Sequence, residues 1–253
     1  MSKLITMTKT RKLIHDDLIT NERLVFKDNA LIMSSYSVTV YEQRLLIACI
    51  EKAQRKKEPL SADAIEITLT VQEYAEMFKV PMKTAYKALS ESSEKLYDRS
   101  IRIEDAGVKR NVRWLQEQAT YDSGKVKLVF SNIISRHIRE FVTGTTAYRL
   151  EQATQLRSQH AIRFFEILHM IIDPKTQQGE WIVSLDRLKD LLELEDRYPR
   201  WADLKKRVIE ESVRQINKNT SLKVEYDVAE KEGKQISAIR FTVFESNQLS
   251  LSL

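Results

Sequence analysis

The chain of 253 residues is 42% hydrophobic and 30% charged, the balance of a soluble globular protein with room for two domains, not of a disordered or fibrous one. Its 41 Lys and Arg against 36 Asp and Glu leave a formal net charge of +5 and a pI near 9.1; so small an excess favours anionic partners only weakly, and its placement matters more than its sum. A single cysteine, Cys49, rules out an intrachain disulfide and points to a reducing cytosol. No run approaches the ~18 apolar residues of a membrane span, and the first residues mix charge and apolarity too finely for a secretory signal.

With only 5 Gly and 4 Pro, helices are expected to dominate. Residues 1–28 show no sustained period and read as a tail or loosely attached arm. From 37 to 57, Val40, Leu45, Leu46, Cys49, Ile50 and Ala53 recur at helical spacing. Residues 65–70 alternate as a short strand, 71–78 form a helix, KVPM breaks it, and 83–97 form a longer helix. RSIRIE and VRWLQEQATY alternate as strands around DAGVKRN, a basic turn expected to form a wing, and KVKLVF adds a strand. SNIISRHIREFV reads as a short helix, and the segment around Gly144 as a boundary and natural hinge. A strong helix is expected from Leu150 or Thr154 to about Ile172, stopped by Asp173-Pro174. WIVSL is then a strand, DRLKDLLEL a helix, EDRYPR a break, WADLKKRVIEESVRQIN a longer helix, and VEYDVAEKEGKQISAIRFTVF two strands around a turn.

One pattern is thus written twice: strand, two helices joined by a break, hairpin. This is the order of a winged helix-turn-helix, which lays its second helix in a DNA major groove. The expected fold class is α+β and helix-rich, with two tandem winged helix-turn-helix domains related as an internal repeat. The domains span 29–145 and 146–246, and 247–253 form a C-terminal tail. Apolar spacing turns Val71, Tyr74, Ala75, Phe78, Ala85, Leu89 and Leu96 inward in the first copy. In the second it turns Leu185, Leu188, Leu191, Leu192, Leu204, Val208, Val213 and Ile216 inward. Left outward near the start of each second helix are Lys83, Thr84 and Lys87, and Arg200, Asp203, Lys205, Lys206 and Arg207. Arg and Lys donate to guanine O6 and N7, and Asp accepts from cytosine N4. Asp203 among four cations either reads a base or orients a neighbouring Arg. The hairpins offer Lys109, Arg110 and Arg113, and Lys231 and Lys234, as phosphate contacts. A basic cluster on one amphipathic helix is ordinarily a solvated face; two matched modules, each basic at the readout position, shift the balance toward DNA.

Catalytic patterns are absent from the sequence. The Gly-Lys pairs at Gly124 and Gly233 have no glycine five positions upstream, which disfavours a P-loop. The 4 histidines, His15, His137, His160 and His169, form no close pair, which disfavours a zinc site and a metal-assisted nicking enzyme. The expectation is a non-enzymatic protein without cofactor or metal. The residues alone leave open a transcriptional repressor with no origin role.

Three stretches resemble the iteron-binding replication initiators (Rep proteins) of bacterial plasmids. They are KDNALIMSSYSVTVYEQRLLIACI, with Asn29, Leu31, Tyr36, Glu42, Gln43, Arg44 and Leu45; SQHAIRFFEILH, with Ser158, Ala161, Arg163, Phe165, Glu166 and Leu168; and ADLKKRVIEESVRQINKNTSLKVEYDVAEKEGKQISAIRF, with Leu204, Ile216, Asn217, Thr220, Tyr226, Gly233 and Lys234. The resemblance implies a protein at plasmid DNA in the bacterial cytoplasm. Monomers of such proteins bind directly repeated duplex sites (iterons), help melt an adjacent A·T-rich segment, and recruit the host initiator and replicative helicase. Dimers repress the gene's own promoter, and chaperones that release monomers are further implied partners. It also implies that the second domain dominates affinity through Asp203, Lys206, Arg207 and Arg200. The family often has Arg where this chain has Lys205 and Lys206, and a lysine lacks the bidentate fork. The first domain is implied to supply the dimer interface.

Overall fold

Residues 23–55, 64–105, 107–121, 123–140 and 144–246 are described by the computed structural model; the arm before Arg23 and the tail after Ser246 lie outside them. The first element, β1 (Leu24–Asp28), belongs to the stretch expected to be a loose arm. It pairs antiparallel along its whole length with β7 (Thr145–Arg149), from Leu24 opposite Arg149 to Asp28 opposite Thr145. Val25, Phe26 and Tyr148 are buried in the ladder, and Asn29 N–H donates to the Gly144 carbonyl at 3.0 Å. The boundary expected near Gly144 therefore falls on a held strand, and the hinge expected there is pinned by backbone pairing and apolar burial.

Between these strands lie α1 (Asn29–Ile32), α2 (Val40–Arg55), β2 (Glu66–Thr70), α3 (Val71–Phe78), α4 (Met82–Asp98), β3 (Ser100–Asp105), β4 (Val108–Arg113), β5 (Leu115–Tyr121), β6 (Lys125–Phe130) and α5 (Asn132–Glu140). After β7 come α6 (Leu150–Gln155), α7 (Gln159–Ile171), β8 (Gln178–Ser184) and α8 (Leu185–Leu192). A long helix follows: α9 (Trp201–Leu204) passes through a π-helical stretch (Lys205–Glu210) into α10 (Glu211–Asn219). The hairpin β9 (Leu222–Glu232) and β10 (Gln235–Glu245) ends the unit.

Two three-stranded antiparallel sheets share one topology. Their strand orders are β2-β6-β5 and β8-β10-β9, so in each the strand before the helix-turn-helix pairs with the last strand of the hairpin. This is the internal repeat, and the chain folds as two tandem winged-helix domains. The supporting helices end alike, with Lys79 (φ 50°) and Glu193 (φ 49°) in the left-handed conformation. Their N-termini are capped alike too, Thr70 Oγ1 accepting from Glu73 N–H and Ser184 Oγ from Arg187 N–H, both at 3.1 Å.

The first copy carries an addition. β3 and β4 form a separate two-stranded sheet, and Lys109, Arg110 and Arg113 lie along β4, not in the turn between β5 and β6 that corresponds to the second wing. The expected wing at DAGVKRN is thus corrected. Trp114 causes the change: its fully buried side chain anchors the chain while its N–H donates to Arg99 O at 3.3 Å and its carbonyl accepts from Ser131 N–H at 3.0 Å. The backbone steps from one sheet to the other at that residue, so VRWLQEQATY is two strands.

The single helix expected from Leu150 or Thr154 to Ile172 is also two, α6 and α7. Leu156 and Ser158 are extended, and the Arg157 N–H freed by the break donates to Gln215 Oε1 at 2.8 Å. Every residue of α7 from Ala161 to Leu168 is buried, which requires partners on all sides. Phe164 meets Phe241 of the second sheet with ring centres 5.2 Å apart. From α7 toward the first unit, Lys27 Nζ donates to both oxygens of Glu166 (3.0 and 2.8 Å) and to Tyr36 Oη (3.0 Å). Tyr148 Oη donates to Glu166 at 2.9 Å, and Arg163 donates to Tyr36 Oη (2.8 Å) and Ser34 O (2.7 Å), its guanidinium stacked 3.9 Å over the Tyr36 ring. Burial acts to lower the Lys27 pKa, but the Glu166 carboxylate and Tyr36 outweigh it and hold it above the ordinary value, so the ammonium stays charged. Buried ions tied to several partners rigidify the joint they occupy, and here only the Arg163 Nε among these ionic groups lacks a hydrogen-bond partner among the described residues. An exposed set reinforces it: Arg102 of β3 reaches Glu195 (2.9 Å), Asp190 (3.3 Å) and Glu193 (3.7 Å).

Candidate nucleic-acid interface

In the second module the start of the long helix is a charged surface organised by one carboxylate. Arg200, the residue preceding the first turn, donates from Nε to Asp203 Oδ2 at 2.9 Å, and Arg207 Nε lies 3.9 Å from Asp203 Oδ1. The two guanidinium groups remain largely open, with 82% and 69% of their side-chain surface exposed. Of the two roles open to Asp203, the geometry matches the orienting one: it holds two planar forks at the N-terminal end of the helix, each with donors left over. Such forks fit guanine O6 and N7. Lys206 is exposed, whereas Lys205 is half-buried and turned back to Glu210 at 3.5 Å.

That last pair is separated by five positions because the backbone here is π-helical. The wider turn buries Val208 and Ile209 in succession and leaves Val213, expected inward, only half-buried. A π-helical segment of this kind re-aims side chains relative to a regular helix. Behind the helix, Asn217 fixes the hairpin by donating to Val224 O (2.9 Å) and accepting from Val224 N–H (2.7 Å). The hairpin runs past the end of β8, where Ser184 pairs Ala238, to a two-residue turn with Gly233 at φ 61°. Lys231 and Lys234 are exposed at this tip, one on either side of Gly233.

In the first module, Lys83, Thr84 and Lys87 are exposed on the opening turns of α4, with Lys87 Nζ 3.7 Å from Glu91. The turn between β5 and β6 does not project, since Thr70, the end of β2, already pairs Lys125. Lys109 and Arg110 are exposed on β4, apart from that turn. Arg113 is tied to the end of α4, donating to Tyr97 O (2.9 Å) and Asp98 (3.4 Å). The structure thus gathers the second-module candidates around one helix and its hairpin, and splits the first-module candidates between α4 and an added sheet. The sequence reading did not single out Met82 and Tyr86, which α4 exposes at 54% and 52%, although inverting its own apolar spacing would have flagged both.

His160 and His169 add no positive charge near neutrality. Burial, helped at His160 by Arg197, lowers both to about 4. Among the described residues no group of three or more His, Cys, Asp or Glu is placed to hold a metal ion, and no helix is long and apolar enough to cross a membrane.

Comparison with known proteins agrees with this architecture. Residues 24–169 match the family model "Initiator Replication protein, WH1", and residues 184–243 match "Initiator Rep protein, WH2". A replication initiation protein of Escherichia coli is 26% identical over 237 residues, covering 91% of this chain and 72% of that protein. An uncharacterized 27.6 kDa protein of Escherichia coli is 23% identical over 226 residues, covering 84% and 92%. The crystal structure of the Pi initiator protein in complex with iteron DNA superposes with a TM-score of 0.70 at 19% identity, over 91% of this chain and 100% of that one, a likeness of fold. With both family models matched in order across most of its length, the chain belongs to the replication initiator family built from a WH1 and a WH2 winged-helix domain.

Proposed function

We propose that the protein initiates plasmid replication by binding repeated double-stranded sites at an origin, opening the adjacent A·T-rich segment and recruiting the host initiator and replicative helicase. As a dimer it represses its own promoter. The observation that supports this reading most is the Asp203-organised pair Arg200 and Arg207 at the start of a helix-turn-helix second helix. A surface meant only for phosphate gains nothing from a carboxylate, whereas a base reader gains orientation. In this reading Lys206 and Arg207 face bases, while Lys231 and Lys234 of the wing face phosphate. Lys83, Thr84 and Lys87 contact the second half of the site, and Lys109, Arg110 and Arg113 supply outlying positive charge. Two modules on successive major grooves span about 20 base pairs.

The test is selection of duplexes from a random pool by the full chain, followed by footprinting. The expected result is one sequence of about two helical turns, bound in tandem copies and protected on the faces of two successive major grooves. Recovery of duplexes with no shared sequence overturns the reading. A plasmid carrying the selected repeats beside an A·T-rich tract should then replicate only when the protein is supplied.

A further inference from the structure

Met82 and Tyr86 stand one helical turn apart on α4, both more than half exposed, in a helix whose Ala85, Ala88, Leu89 and Leu96 are buried and whose Tyr97 is the other exposed aromatic. Single exposed apolar residues are ordinary on protein surfaces. This pair is less ordinary because of its setting. It flanks Lys83 and Lys87, also one turn apart, on the first two turns of the second helix of a helix-turn-helix. Tyr97, further along the same flank, has its ring covered by the Arg113 guanidinium at 5.9 Å; among the described residues no ring, guanidinium or hydrogen-bond contact engages Tyr86. Counted from the helix start, the second module has half-buried Trp201, packed on the core, where α4 has Met82, and Lys205 where it has Tyr86, so it presents no exposed apolar pair there.

We infer that the first module is a thymine reader: Met82 and the Tyr86 ring contact the C5-methyl groups of thymines in the major groove, while Lys83 and Lys87 hold the flanking phosphates. The inference rests on the DNA-binding reading proposed above. The chemistry is selective because the thymine methyl is the one apolar group exposed in the major groove. An apolar side chain set over guanine O6 and N7 or cytosine N4 would strip those groups of water and return no hydrogen bond. Thr84 is exposed on the opposite flank, beyond Lys83 and Lys87, where its hydroxyl leaves one polar option. The two modules then divide the bases by chemistry, with arginine forks on G·C pairs in one half-site and apolar contacts on A·T pairs in the other.

The experiment uses the full chain and the duplex it selects from a random pool, remade with deoxyuridine in place of each thymine in turn, which removes only the methyl. Thymines in one half of the site are expected to show about a threefold to fivefold loss of affinity each on losing the methyl. In Met82→Ala and Tyr86→Ala that sensitivity should vanish at the thymine each residue touches. It should persist in Met82→Leu and in Arg207→Ala. If no duplex is selected, the proposed function fails and takes this inference with it. If a duplex is selected but no thymine responds to the change, or the same thymines respond equally in both alanine variants, this inference alone is overturned.

Discussion

The two modules share a strand order and a pair of capped, left-handed-terminated supporting helices, yet they present different chemistry at the same place. The second sets two arginines on one carboxylate and extends a basic hairpin past its sheet. The first offers two lysines, a threonine and exposed Met82 and Tyr86, has a turn that stops level with its sheet, and adds a hairpin that reaches the other module through Arg102. A fold repeat therefore constrains where a reading helix sits and says little about what it reads. The helices that hold the two copies together, α2 and α7, are buried almost all round, so each is fixed by its neighbours on every side.

The largest effect expected on this comparison is that of salt. If each module neutralises a few phosphates, affinity for the selected duplex should fall roughly 10³–10⁵-fold between about 50 and 200 mM salt. Binding measured by fluorescence anisotropy across that range tests it, and a flat response would remove DNA from the account of both modules. Next is the joint. Lys27→Met leaves Glu166, wholly buried, with Arg163 at 3.6 Å as its remaining cation and loses the tie from β1 to α7. A cost of about 3–5 kcal/mol in urea unfolding is expected, as for other buried pairs broken on one side. A loss below about 1 kcal/mol, the range of exposed pairs, would mean that the modules are not locked through this helix.

The reading faces come next in size. Arg207→Ala should cost about 1–3 kcal/mol in binding and relax one base position, whereas Lys234→Ala should weaken all sequences alike and lower the salt slope by about one. Equal losses on selected and random duplexes for Arg207→Ala would move that residue to the phosphate class and erase the contrast between helix and wing.

Much of this architecture was legible in the letters because periodicity reports burial. α3, α4 and α8 fall where the apolar spacing places them, with Tyr74, Leu89 and Leu191 inward. What escaped was set by partners distant in sequence or by local departures from an ideal period. Leu24–Asp28 shows no alternation, its last four residues being buried in succession, and is drawn into a strand by pairing with Thr145–Arg149. Trp114 and Leu115 are buried in succession, which no alternating strand permits, and that adjacency was a signal of the sheet change. The inward turn of Ile209 comes from a π-helical stretch that a fixed helical period cannot anticipate. Arg163 and Glu166 look like solvent-facing interruptions of an apolar stripe; their burial follows from Lys27 and Tyr36, which only the fold brings near. At the site, the candidate cations of the second helix were readable from their positions, but the bond from Arg200 to Asp203 needed the helix start in three dimensions.

The smallest expected effect separates the two supporting helices. Thr70 and Glu73 form a reciprocal box: Thr70 Oγ1 accepts from Glu73 N–H at 3.1 Å, and the Glu73 carboxylate accepts from Thr70 N–H at 2.8 Å. At Ser184 the third residue on is Arg187, which cannot return the bond, so only one helix-end N–H is satisfied by a side chain there. Burial acts to raise the Glu73 pKa, but hydrogen bonds from Lys52 and Thr70 outweigh it and hold it below the usual value. Its contribution is thus present above the ordinary carboxylate range and lost as pH falls through the lowered value. The Thr70 hydroxyl also donates to the Glu73 carboxylate at 3.1 Å. Thr70→Ala, which keeps the backbone bond, should therefore cost about 1–2 kcal/mol near neutral pH and less once Glu73 is protonated, while Ser184→Ala should cost about 0.5–1 kcal/mol. The Ser184→Ala loss should not share the acid decline through Glu73. Urea unfolding of both variants at neutral and acid pH measures this. Equal costs with equal pH dependence would show that the Thr70 hydroxyl gains nothing from the Glu73 carboxylate, and that the two hydroxyls act as the same single cap.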